Sequence, residues 1–137
     1  MDMNINQILE NVNRVITENL TMVDLKEVEK VADTLFHQIG LDLEFTKHFL
    51  DRCNDPRNGT EISVRELISF FTKVYYKAQI PIKKLSPGQE AVLADSRNFL
   101  NVPFIIQYDK KKGELQMVAK TIMRKKNFGS PDPIFKV

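Results

Sequence analysis

Lys120-Thr121-Ile122-Met123-Arg124-Lys125-Lys126 closes the stretch 114–124, and the reading of that stretch decides the fold. Alternation puts Leu115, Met117, Ala119, Thr121 and Met123 on one face. Glu114, Gln116, Val118, Lys120, Ile122 and Arg124 fall on the other, which is the period-two pattern of a β-strand. Lys120 and Arg124 then project from the same side, about 13 Å apart at roughly 3.3 Å per residue. A charged pair on an otherwise apolar strand faces either solvent or an anion. Two readings follow, an ordinary solvent-facing strand and a phosphate-binding one.

Working upstream, Val102 to Tyr108 reads as a partner strand, joined to 114–124 by Asp109-Lys110-Lys111-Lys112-Gly113 in a hairpin. Residues 82–99 stay open between a helix started at Ser86-Pro87-Gly88-Gln89 and an edge strand over Ala91-Val92-Leu93. Ser63-Val64-Arg65-Glu66 has the form of a capping box. The helix it opens buries Val64, Leu67, Ile68, Phe71, Val74 and Tyr75 and ends before Pro81. Thr46 caps a short helix to about Asn54, and Asp55-Pro56-Arg57-Asn58-Gly59 forces a loop. Leu41-Asp42-Leu43-Glu44-Phe45 alternates cleanly and reads as a short strand or an extended entry to that helix.

Residues 5–20 carry an amphipathic helical pattern. A second helix starts near Asp24, with Glu27 three residues on, and buries Val28, Val31, Ala32, Leu35, Phe36 and Ile39 before Gly40 stops it. The tail from Gly129 is irregular. Helices followed by an antiparallel hairpin indicate an α+β fold. One domain spans 1–137, divided into a helical extension at 1–39, an α+β core at 41–128 and a tail at 129–137.

A hydrophobic fraction of 42% with 28% charged residues is that of a globular chain rather than a membrane or disordered one. No apolar run approaches the roughly 20 residues of a membrane span. No basic segment followed by an apolar one opens the chain, so no secretory signal is expected. The single cysteine, Cys53, cannot form an internal disulfide and fits a reducing, cytoplasmic setting. The net charge of +2 hides an asymmetry, since residues 1–51 carry 4 basic and 10 acidic groups while residues 104–137 carry 8 and 3. An acidic helical layer and a basic surface that could meet a polyanion are the expectation.

His48 and Arg52 lie four apart on the short helix and share a face. An imidazole can exchange a proton near neutral pH, and a guanidinium can hold a phosphate through two hydrogen bonds. RNA cleavage without a metal needs a base for the 2′-hydroxyl, charge stabilisation on the phosphorane, and an acid for the leaving oxygen. His48, Arg52, Lys120 and Arg124 are the candidates for those roles. The plainer alternative has His48 orienting a loop and Arg52 pairing with Asp51, Asp55 or Glu44. His37 and His48, eleven apart, make no zinc pattern with Cys53, and no calcium loop, phosphate loop or dinucleotide fingerprint occurs. No metal or cofactor is expected. Tyr75, Tyr76 and Tyr108 read as core more than as base-stacking platforms, and His37 as a polar-edge residue.

Leu43-Glu44-Phe45-Thr46-Lys47-His48-Phe49-Leu50-Asp51-Arg52, with Arg57 following, resembles the Ser/Thr-x-His-x-x-x-Arg helix of small RelE-like proteins, including phage endoribonucleases of the RegB kind. Asn101 to Phe128 is similar to a segment of bacteriophage proteins, so the resemblance covers roughly residues 41–128. It implies a compact RelE-like α+β fold with RNA in a basic concavity over the sheet. His48 is then the proton-transfer group and Arg52 a phosphate ligand or its orienting partner. The chain departs from the pattern in offering no histidine on the sheet and in the one-residue-longer spacing to Arg57, with Pro56 between.

The expected function is therefore a phage-encoded RNA-binding protein of RelE-like type, acting as a metal-independent, toxin-like endoribonuclease in the host cytoplasm. Arg57, Lys125, Lys126 and Lys47 add RNA contacts, giving affinity that falls with salt. The alternative is a non-catalytic phage protein that binds a host factor or virion component through the acidic segment 5–39.

Overall fold

The computed structural model describes residues 19–137. The amphipathic pattern over 5–20 lies almost entirely outside them, and with it part of the segment 5–39 proposed for a protein partner. Helix α1 (Met22–Phe36) is capped by Thr21, whose side chain accepts from the Asp24 N–H while the Asp24 carboxylate accepts from the Thr21 N–H. The capping box thus sits three residues before the expected Asp24–Glu27 pair, because Asp24 is already the third helical residue. Leu25, Val28, Ala32 and Phe36 enter the core, whereas Val31, expected there, is 37% exposed. A 3-10 turn (His37–Ile39) follows, and Gly40 at φ 74 reverses the chain into β1 (Leu41–Phe45).

Helix α2 (Lys47–Cys53) is one of three α-helices among the described residues, and α3 (Val64–Lys83) is the longest of them. Ser63 caps α3 through the Glu66 N–H, but the Glu66 carboxylate does not close a box, because it is bound to Arg124. The helix also runs through Pro81 instead of ending before it. A proline in the last turn forfeits one backbone bond, and burying Ala78 and Ile82 offsets that loss.

Strands β2 (Glu90–Asp95), β3 (Leu100–Asp109), β4 (Glu114–Ala119), β5 (Met123–Arg124) and β6 (Ile134–Lys136) join β1 in one sheet, ordered β1-β4-β3-β2-β6, with β5 also on β3. The β2–β3, β3–β4 and β3–β5 pairings are antiparallel, while β1 on β4 and β6 on β2 are parallel. The open question over 82–99 is answered by a strand, an interior one because the tail adds β6 beside it. The tail is correspondingly not irregular throughout.

The fold is mixed α+β. The helices cover the face of Leu43, Leu93, Val102, Phe104, Ile106, Met117 and Ala119, and these side chains share one hydrophobic core with α1, α2 and α3. The described part of 1–39 therefore packs into the same core as 41–128. No described helix is long and apolar enough to cross a membrane.

The strand predicted over 114–124 is broken in its middle. Ala119 pairs with Phe104, and Met123 pairs with Asn101. Four steps along one strand oppose three along the other, so one residue is extra, which is a β-bulge. Beyond a bulge the two-residue alternation changes face. Ile122, expected beside Lys120, is buried in the core at 1% exposure. Arg124 pairs with the core-facing Leu100 and lies on the helix-covered face, while Lys120 remains on the far face. The two cations do not share a side.

Candidate functional site

The bulge also positions α2. Thr46 is the N-cap, its hydroxyl accepting from the Phe49 N–H at 3.0 Å and donating to the Lys120 carbonyl at 2.8 Å. The Thr46 N–H donates to the Ala119 carbonyl. One threonine thus starts the helix and fastens it where β4 ends. Phe49 and Cys53 are buried, which turns His48 and Arg52 outward.

At the other end of α2, buried Asn58 donates to the Arg52 and Cys53 carbonyls and accepts from the Arg124 N–H. Helix, loop and β5 are locked by that single amide. Between them lies a cleft of about 560 Å³ whose walls include His48, Arg52, Arg57, Thr121, Arg124 and Lys125.

Arg52 Nε donates toward His48 Nε2 at 3.5 Å, and its Nη1 donates to Asp55 at 3.1 Å. Arg57 donates to the same carboxylate through Nε and through Nη2 at 2.7 Å. The Arg57 guanidinium holds the Asp55 carboxyl well below the usual carboxylate range. The plainer expectation for Arg52, a pair with Asp55, is therefore met. Each of these two guanidiniums still has three of its five N–H donors unused among the described residues. The Thr121 hydroxyl, at the bulge, is buried with no hydrogen-bond partner among the described residues. A buried polar group left unpaired costs roughly 1–3 kcal/mol.

Arg124 is the opposite case. Its Nε donates to the Thr60 carbonyl, Nη1 to Glu66 and the Asn98 carbonyl, and Nη2 to Glu66 and the Glu61 carbonyl. All five donors are committed, so this guanidinium is an anchor and has none left for phosphate. The phosphate role read for Arg124 is corrected on that ground.

Lys120 is also displaced from the expected site. It pairs with Glu90 on the far face and is absent from the walls of the His48 cleft. Lys126 stands over the Phe99 ring, 5.0 Å from its centre, beside a separate cleft next to Asp95. Lys47 is exposed at the start of α2, outside the walls of the His48 cleft. Of the residues singled out in the sequence, the cleft gathers His48, Arg52, Arg57, Arg124 and Lys125. The far face of the sheet carries Asp42, Glu44, Glu90, Asp109 and Glu114 with Lys120 and Lys136, by strand register. It is therefore not a basic concavity.

Sequence reasoning missed Thr121, Asn58 and Glu66. Only Asn58 had a signal, as an asparagine in a loop between two arginines and a glycine. Another cleft of similar size, about 570 Å³, is walled by Leu20, Asp24, Cys53 and Thr60 among others. Burial pushes the Cys53 thiol up to about 12, so no nucleophile forms there. Of the tyrosines, Tyr75 is buried as expected, while Tyr76 and Tyr108 are 66% and 54% exposed. No family model, no curated protein and no solved structure matches the chain.

Proposed function

We propose that the α2–β5 cleft binds RNA and cleaves its backbone without a metal, in the manner of a RelE-like endoribonuclease. The observation that carries this reading is the unpartnered Thr121 hydroxyl in a cleft walled by His48 and by cations with spare donors. A phosphate in the cleft would satisfy the free N–H groups of Arg52 and Arg57, and the Thr121 hydroxyl as well once the wall that buries it shifts.

Because a guanidinium only donates, His48 Nε2 is the acceptor in its contact with Arg52. That lone pair is what a general base requires. In this scheme His48 takes the proton of the 2′-hydroxyl, and the resulting oxygen attacks phosphorus. The 5′-oxygen leaves with a proton from Lys125, while Arg52, Arg57 and Thr121 stabilise the phosphorane. Lys120 and Arg124 have no part in the step.

The test is cleavage of a mixed RNA pool by the parent protein, His48→Ala and Thr121→Val. His48→Ala should lower the rate by about 10²- to 10⁴-fold with unchanged melting temperature, and Thr121→Val by about tenfold or more with a melting temperature no lower than the parent's, since it removes an unpaired buried hydroxyl. A parent that cleaves nothing would remove the enzyme reading, and full activity in His48→Ala would remove the assignment of the base.

Asp55, which holds both arginines, favours a second reading in which this surface is only structural and the chain is a non-catalytic interaction protein. RNA binding that persists at physiological salt, and weakens on Arg57→Ala, would decide against it.

A further inference from the structure

We propose that Asp33, His37 and Asp42 form a binding site for a divalent transition-metal ion, separate from the RNA cleft. Asp33 comes from α1, His37 from the 3-10 turn and Asp42 from β1, and Gly40 makes the reversal that brings them together. His37 Nε2 lies 3.1 Å from Asp42 Oδ1 and 3.8 Å from Asp33 Oδ2. One ligand atom from each residue falls within 4.8 Å of the other two. Ligands about 2.0–2.2 Å from a common ion stand roughly 3–3.5 Å from one another, so only a small contraction is needed.

Two features of the surroundings favour a cation. The first is orientation, because the Leu43 N–H donates to Asp33 Oδ1 at 2.8 Å, which fixes one carboxylate oxygen on the strand and leaves Oδ2 toward His37. Such a second contact is what holds a ligand in place. The second is crowding of negative charge. Asp42 adjoins both Asp33 and Glu44, Glu29 and Glu114 lie nearby, and among the described residues Lys26 and Lys112 oppose them.

The site opens through His37 and Asp42 into a cleft of about 180 Å³ with Glu114 on its wall. Two carboxylates and one imidazole suit Zn²⁺ or Mn²⁺ better than Mg²⁺ or Ca²⁺, which prefer oxygen alone. Water from the cleft would complete the coordination. Asp42 and the Thr46 cap of α2 are four residues apart along an extended strand, roughly 13 Å. An ion here would therefore join α1 to the edge strand and take no part in chemistry at His48.

Thermal melts of the metal-stripped chain with added Zn²⁺, Mn²⁺ or Mg²⁺, and calorimetric titration with the same ions, test this. Zn²⁺ or Mn²⁺ at a hundredfold excess over Kd should raise Tm by roughly 6–10 °C with a stoichiometry of one. Mg²⁺ should do far less. His37→Ala, at an exposed position that the fold does not need, and Asp42→Asn should each remove the shift. No shift in the parent, or an equal shift in His37→Ala, would overturn the proposal and leave His37 as a charge partner of the two aspartates alone.

Discussion

The two faces of the sheet treat their charges differently. On the helix-covered face, Asp95, Leu100 and Arg124 lie in one row across three strands. Helix α3 answers both charges, Glu66 to Arg124 and, seven residues on, Lys73 to Asp95 at 2.6 Å. Two ion pairs of opposite polarity thus clamp one helix onto the sheet on either side of a buried leucine. On the far face Lys120 meets Glu90 with both side chains 38% exposed, against 13% and 19% for Arg124 and Glu66. A pair shielded from water and fully hydrogen-bonded holds structure together, whereas a half-exposed one holds very little. Charges that look alike in sequence divide into anchors and spectators by which side of one bulge they occupy.

The largest effect should come from breaking the Arg124 anchor. Arg124→Ala strands Glu66 and leaves the Thr60, Glu61 and Asn98 carbonyls without that donor, and should cost about 3–5 kcal/mol in urea unfolding. Arg124→Lys should recover little, since an ammonium cannot form the fork. A variant that kept its stability but lost RNA binding would reverse the comparison and restore Arg124 as a phosphate ligand.

Asp95 comes next. Burial pushes its carboxyl up, but the Lys73 ammonium and the Arg97 and Asn98 N–H groups more than reverse that, so it lies below its usual range. A carboxyl lowered in the folded state contributes stability above its unfolded value and loses it as pH falls through the folded one. Melts taken from pH 5 down to pH 2 should therefore show a loss in the parent that is smaller in Asp95→Asn. At pH 7 the same variant should be less stable by about 2 kcal/mol, because Lys73 loses its partner.

The helices of this fold were legible because their stripes recur at 3.6 residues, and β1 and the hairpin because theirs recur at two. The Thr46 cap and the outward pair His48 and Arg52 could be read the same way. What could not be read was the one-residue bulge, since Thr121 and Ile122 carry no glycine or proline to mark it. That single residue sent Arg124 to Glu66 and left Lys120 behind. The metal corner was hidden for a different reason. Asp33 and Asp42 are nine residues apart and meet only because Gly40 folds the strand back along its helix.

A smaller effect is expected at the junction of the two regions. Thr46→Ala removes the α2 cap and the bond to the Lys120 carbonyl, and should cost about 1–2 kcal/mol. Thr46→Ser should restore most of it. If Thr46→Ala also lowers RNA cleavage more than the lost stability explains, α2 must be held in register for His48 to act.

The smallest effect belongs to the far face. Lys120→Ala should change stability by no more than about 1 kcal/mol, since an exposed ion pair gains little over two hydrated charges. It should also leave the salt dependence of the proposed RNA binding unaltered, because Lys120 lies outside the cleft and is already balanced by Glu90. Removing one true phosphate contact lowers the slope of log K against log salt by about 1. Arg57→Ala should show that drop and Lys120→Ala should not. If both do, RNA crosses from the cleft onto the far face, and the bulge separates two halves of one binding surface instead of a site from a bystander.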